Sequence, residues 1–138
     1  MRHVVFRVGA ERFAIPLAAV REVVLPQPPF ARVPRASEAV RGVMNLRGRV
    51  VAVVDLAPLV GLAPQALAAD AGQVLILDHG KRALGFLIAG VLGVETIAPP
   101  EGGGPGLVRG VAPAGGGAVT LIGADALASE AERLFGTS

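Results

Sequence analysis

An all-β fold of about ten short strands, arranged as two similar lobes, is what this sequence predicts. Three observations carry that expectation. Apolar residues recur with period two or in short runs closed by Gly and Pro, which is strand patterning rather than helical patterning. Turn signals return roughly every 8–12 residues, the spacing of small barrels and sandwiches rather than of strand–helix–strand units. Residues 40–59 (VRGVMNLRGRVVAVVDLAPL) are echoed by residues 108–127 (VRGVAPAGGGAVTLIGADAL). Each is an apolar-Arg-Gly-Val hairpin followed by an apolar run and a helical entry.

Residues 3–8 (HVVFRV) and 12–15 (RFAI) read as strands around a hairpin turn that starts at Gly9. Pro16 opens a short helical turn that leads into a strand at 22–25. The stretch 26–36 holds four prolines. Pro fixes φ and removes a ladder donor, so this is an ordered loop. Strands follow at 40–46 and 49–56, joined at Arg47–Gly48, and Pro58 and Gly61 bracket a turn of helix. The Ala-rich 62–72 reads as a connector. Beyond it come strands at 73–78 and 82–88 around a turn at His79–Gly80, and another at 91–97. The Gly-rich 98–106 reads as a mobile loop. Strands at 107–113 and 118–122 close the pattern. A terminal helix over 124–136 has Leu127, Ala131 and Leu134 at helical spacing, acids toward its start, Arg133 near its end and Gly136 as its cap. The first lobe spans roughly 14–62 and the second roughly 73–122, within a single domain over 1–138 whose terminal segments are free to exchange between lobes.

Composition excludes several classes. The chain has 138 residues, of which 52% are hydrophobic and 17% charged. That is too apolar for a disordered chain. Its longest apolar runs are broken before the ~18 residues of a membrane span, and charges at Arg2, His3 and Arg7 interrupt any signal peptide. With no Cys, disulfides and thiolate metal sites are out, which fits a cytoplasmic protein. Residues 1–50 carry nine Arg and three Glu, whereas 51–138 carry four bases and eight acids. The basic first half suggests an acidic protein partner or an anionic surface, unless these Arg are only the outward faces of strands.

Catalytic chemistry has little to work with. There are three Ser and no Gly-x-Ser-x-Gly elbow. Asp78–His79 is the one adjacent pair with metal-ligand character, and it sits at a turn. Gly80–Lys81 lacks the Ser or Thr that a phosphate loop places next. Asp55 and Glu22 are the plausible inward acids, with no substrate pocket around them. The expectation is therefore no enzyme, no catalytic residue, no metal, no cofactor and no small-molecule substrate. A barrel that binds single-stranded nucleic acid remains the alternative from another class. Such barrels stack bases on aromatic platforms; here Phe6, Phe13 and Phe86 fall on core positions, and only Phe30, among prolines, is expected to be exposed.

Two blocks are specific. Residues 6–23 (FRVGAERFAIPLAAVREV) and 42–62 (GVMNLRGRVVAVVDLAPLVGL) resemble the signature blocks of the CheW-like family, coupling proteins of bacterial chemotaxis. Residues 84–94, 109–113 and 119–127 resemble its later strands, closing hairpin and helix, so the likeness runs from Val4 to Leu127. It implies two intertwined five-stranded, SH3-like β-barrel lobes sharing a core, with short helical turns and a C-terminal helix. It also implies a non-enzymatic adaptor coupling chemoreceptors to a chemotaxis-type histidine kinase, cytoplasmic and located at membrane-associated receptor arrays. A divergent scaffold in a non-motility chemosensory pathway is the variant of that reading. By the same resemblance, the receptor's cytoplasmic hairpin tip docks in the groove between the lobes, at Val20, Glu22, Gly42, Asn45, Arg47 and Gly48. The kinase's regulatory domain contacts the first-lobe surface at positions no motif marks. Neither nucleic acid nor membrane insertion is implied.

The residues suit those roles. Gly42 and Gly48 bracket a hairpin that needs backbone freedom. Asn45 tolerates left-handed geometry and can bond its own turn, and Arg47 at the tip projects a planar fork of donors. Arg47 as a pin for its own loop, Val20 as core and Glu22 as a solvated charge are the plainer alternatives. The sequence departs from the family at Ala89, where a strand acid is usual, at Gly123 before the last helix, and in the short Gly-rich 99–106.

Overall fold

The computed structural model describes residues 1–34, 37–67, 71–79, 82–98 and 106–134. Ten strands are present among them: β1 (Arg2–Val8), β2 (Glu11–Pro16), β3 (Val20–Val24), β4 (Val40–Leu46), β5 (Arg49–Asp55), β6 (Gln73–His79), β7 (Arg82–Ile88), β8 (Gly90–Thr96), β9 (Val108–Ala114) and β10 (Gly117–Ile122). A 3-10 turn covers Leu17–Ala19, and two helices, α1 (Leu56–Leu59) and α2 (Ala124–Arg133), follow β5 and β10. The expected all-β class with short helical turns and a C-terminal helix is the fold the chain adopts.

The strands form two five-stranded sheets, β8-β1-β2-β10-β9 and β3-β6-β7-β5-β4. The orders coincide once β8 is matched with β3, β1 with β6, β2 with β7, β10 with β5 and β9 with β4. In both sheets the third and fourth strands run parallel, β2 with β10 and β7 with β5. The internal echo thus has a structural meaning. Each half of the chain is a hairpin, a strand, a second hairpin and a helix, and the two halves exchange their first hairpins. β1–β2 completes the sheet of β8–β10, while β6–β7 completes the sheet of β3–β5. Lobe boundaries at 14–62 and 73–122 therefore do not coincide with the sheets: β6 and β7 lie after residue 72 yet belong with β3–β5, and β2 belongs with the C-terminal strands. Hydrogen-bond pairing between sequence-distant hairpins decides this, and it leaves no trace in periodicity.

The central strands β1, β2, β6 and β7 are buried on both faces over most of their length, which explains why they read as apolar runs. On β1, Val4, Phe6 and Val8 join a core shared with Leu75, Leu77, Leu84 and Phe86 of the other sheet and with Leu127, Ala128 and Ala131 of α2. Val5, between them, faces a second core inside its own lobe with Ala14, Val119 and Leu121. Met44, Val51, Val53, Val74 and Ile76 form the matching core of the other lobe. Phe6 pairs directly with Phe13 across β1–β2, their rings stacked at 6.1 Å. Phe30 corrects an expectation: it is half-buried and packs on the core around Met44, so none of the Phe residues among those described is exposed. The loop that carries it is tied down by mutual backbone hydrogen bonds between Ala31 and Val43, both 2.8 Å.

Two of the departures from the family pattern, Gly123 and Ala89, lie in defined local surroundings. Gly123 caps α2, and a Cβ there would collide with the Arg109 guanidinium lying over it. At the Ala89 turn the Val91 N–H donates to Gln73 Oε1 at 2.7 Å, satisfying a donor that an acid two residues earlier could bond. Residues 99–105 and Gly136 lie outside the described residues. Asp125 in the first turn of α2 and Arg133 in its last stand as the dipole favours.

Candidate functional site

Leu46 pairs with Arg49, which leaves Arg47–Gly48 as a two-residue hairpin loop. Their φ values, +52° and +83°, are both left-handed, the geometry that matches the natural twist of paired strands. Gly48 adopts it freely, whereas a residue with a Cβ gives up roughly 1 kcal/mol or more there. Arg47 is the only non-glycine residue with positive φ among those described. Two contacts hold it. Asn45 Oδ1 accepts the Gly48 N–H at 2.8 Å. Arg47 Nη2 donates to both carboxylate oxygens of Glu22, at 2.6 and 2.7 Å.

Glu22 lies on β3, one edge of its sheet, and Arg47 belongs to the hairpin that forms the opposite edge. The ion pair therefore ties the two open edges together and helps close the lobe. It leaves the guanidinium presented: the Arg47 side chain is 67% exposed, that of Glu22 28%. Nη1 and Nε of Arg47 bond to no other described residue. Around the pair runs a chain of charges that sequence reasoning missed. Arg21 donates to Asp78 at 2.9 Å and lies 4.0 Å from Glu22, and Arg49 reaches the other Asp78 oxygen at 3.3 Å. The pairing of β6 with β3, and with β5 through β7, brings Asp78 here, so spacing along the chain gave no signal for it.

The remaining candidates lie apart. Gly42 has φ +131°, and a Cβ there would sit 2.5 Å from the Ala31 carbonyl oxygen. It is the point where the proline loop crosses β4. Val20 is half-buried, pairs with Leu77 and packs on the shared core, separated from Glu22 by a bulge at Arg21. The structure thus unites Glu22, Asn45, Arg47 and Gly48 at one end of a lobe, with Gly42 farther back along β4 and Val20 toward the seam with α2.

The two acids expected to point inward have separate roles. Asp55 is 1% exposed and is engaged by the Ala57 N–H (3.0 Å), the Gln65 N–H (2.8 Å), Gln65 Nε2 (2.7 Å) and Arg41 Nη2 (3.2 Å). It caps α1 and anchors the connector through Gln65. Glu22 is at the rim, so no acid–base pair forms. Asp78 is exposed but ion-paired. No cluster of three or more metal-ligating side chains exists among the described residues. A cavity of about 560 Å³ opens on the other lobe beside the start of α2, and none of the candidate residues lines it.

Comparison with known proteins agrees with this architecture. The sequence profile of the CheW-like domain matches residues 2–132. The chain is 33% identical over 96 residues to the chemotaxis protein CheW of Rhizobium meliloti, covering 69% of this chain and 60% of that one. It is 31% identical over 90 residues to protein PilI of Pseudomonas aeruginosa, covering 65% of this chain and 49% of that one. This chain thus spans about half to three fifths of the length of the curated relatives it matches. The crystal structure of the scaffolding protein TtCheW from Thermoanaerobacter tengcongensis superposes with a TM-score of 0.72 at 24% identity, covering 88% of this chain and 87% of that one, a likeness of fold. A profile matched almost from end to end, on a scaffold of two exchanged five-stranded lobes, leaves one assignment: the chain belongs to the CheW-like domain family.

Proposed function

We propose that this protein is a non-enzymatic adaptor that couples a chemoreceptor to a chemotaxis-type histidine kinase. In this reading the receptor's cytoplasmic hairpin tip docks at the end of the lobe carrying Glu22, Asn45, Arg47 and Gly48, with Val20 and Gly42 shaping its approach. The kinase's regulatory domain docks on another face of the first-lobe surface. The observation that carries the reading is Arg47. A left-handed arginine at an exposed tip costs stability, yet its side chain is held by two bonds from Nη2 to the Glu22 carboxylate. Preorganising a charged group while leaving it accessible is what an interface anchor requires.

No helix among the described residues is long and apolar enough to cross a membrane. The proposal, resting on the family resemblance, places the protein in the cytoplasm, at membrane-associated receptor arrays reached through its partners. No nucleic acid, cofactor or substrate enters the scheme. The half-buried Phe30 supports this, because it removes the base-stacking platform that a nucleic-acid barrel would use. The test is a paired pull-down of wild type and Arg47→Ala against a receptor hairpin and a kinase regulatory domain. The reading predicts that the variant loses the receptor and keeps the kinase. Equal retention of both partners would remove Arg47 from the interface.

A further inference from the structure

The exchanged halves can be compared position by position. The turns Arg47–Gly48 and Gly115–Gly116 have matching φ values, +52° and +83° against +50° and +83°. Counting on from them, Ala52 corresponds to Thr120, and each pairs in parallel with a hairpin of the other half, Ala52 with Leu84 and Thr120 with Phe13. The residues just before, Ala83 and Arg12, are therefore equivalents. Arg12 reaches across the end of its own lobe, where with Val119 and Thr120 it lines a recess of about 340 Å³. Its Nη2 donates to the Ala114 carbonyl at 2.9 Å and lies 3.9 Å from Glu95, and a Cβ on Gly117 would be 2.7 Å from its Nη1.

Ala83 has nothing beyond its Cβ, and it lines a recess of about 190 Å³ in the other lobe. Leu46, Val51 and Ile76 share the floor with it, all more than nine-tenths buried. The rim is charged: Arg21, Glu22, Arg47 and Arg49. Counting Asp78, which pairs with both Arg21 and Arg49, the described residues of the rim are three arginines against two carboxylates. One positive charge is left over. Arg49 has the looser hold on the shared Asp78, at 3.3 Å against 2.9 Å for Arg21.

We propose that this recess seats one apolar side chain of the partner segment, Leu- to Phe-sized, and that Arg49 binds a carboxylate beside it on the same segment. The inference rests on the adaptor reading above and names the chemistry the docked hairpin must present. Size supports it, since an apolar cavity of about 150 Å³ already accepts a benzene ring. Charge supports it too, because an acidic residue at the rim satisfies the surplus guanidinium. Position 83 then matters because a longer side chain there, like Arg12 at the equivalent position, would reach into the recess.

The test is calorimetric titration of the full chain with the isolated cytoplasmic hairpin of a chemoreceptor from the same genome. It uses wild type, Ala83→Leu, Ala83→Arg and Arg49→Ala, with thermal melting and sedimentation of each. Both Ala83 variants should weaken hairpin binding roughly 30-fold or more, the loss expected for a filled anchor pocket. Arg49→Ala should weaken it several-fold, by a factor that shrinks as salt rises. Unchanged hairpin affinity in folded Ala83 variants would overturn the recess and leave the adaptor reading standing. A wild type that fails to bind the hairpin would overturn both. Should both Ala83 variants melt early, Arg49→Ala decides, and full affinity in that variant rejects the proposal. Self-association lost in the Ala83 variants with hairpin binding intact would make a second copy the occupant and also reject it.

Discussion

At Arg47 the backbone and the side chain pull in opposite directions. Left-handed φ favours Gly, while the pair with Glu22 needs Arg. Arg47→Ala removes the ion pair and keeps the backbone strain, so it should destabilise by about 1 kcal/mol, the upper range for an exposed pair. Arg47→Gly removes both and should leave stability nearly unchanged. Denaturant titration of the two variants separates these contributions. Hairpin binding, by contrast, should fall roughly 30-fold in both, because either loses the anchoring guanidinium. Gly42 obeys a different constraint. With φ +131° and the Ala31 carbonyl in the way, Gly42→Ala must move the proline loop or the strand, at a cost of about 2 kcal/mol or more. A melting temperature within a degree of wild type would mean that the loop yields easily and Gly42 is not a structural requirement.

At the scale of elements, the sequence announced most of the strands and few of their neighbours. Each hairpin is a local event, marked by Gly or by Arg47–Gly48 between apolar runs, and local signals are what periodicity reports. The Asn45 bond to its own turn was legible for the same reason, although the left-handed residue proved to be Arg47. The partners that complete the site were not legible. Asp78 reaches Arg21 because β3 pairs with β6 across fifty or more residues, and Arg49 lies near it through the β5–β7–β6 pairing; the exchange of β1–β2 for β6–β7 is set by long-range pairings of this kind. Phe30 escaped for a related reason, since prolines mark a loop without saying what the loop covers. Helix α2 was legible through Leu127 and Ala131, both fully buried against strands of the two sheets. Leu127→Ala should therefore cost about 2–5 kcal/mol, read as a fall in the denaturation midpoint with an unchanged slope.

At the scale of the whole molecule, the exchange makes two lobes one folding unit. The shared core draws on β1, β2, β5, β6, β7 and α2 at once, so neither lobe can open without exposing the other's interior. Calorimetric unfolding should be a single transition in which the measured and van't Hoff enthalpies agree; two resolved transitions would show that the lobes are independent. A rigid body of this kind suits a bridging role, because it fixes the distance and angle between whatever its faces hold. The adaptor account is tested most directly by mixing a receptor hairpin, a kinase regulatory domain and this protein, and sizing the complexes by light scattering after gel filtration. The account predicts a ternary complex containing all three, which disappears when this chain is left out and, at moderate concentration, when Arg47→Ala replaces wild type. Mutual exclusion of the two partners, with each forming only a binary complex, would contradict it.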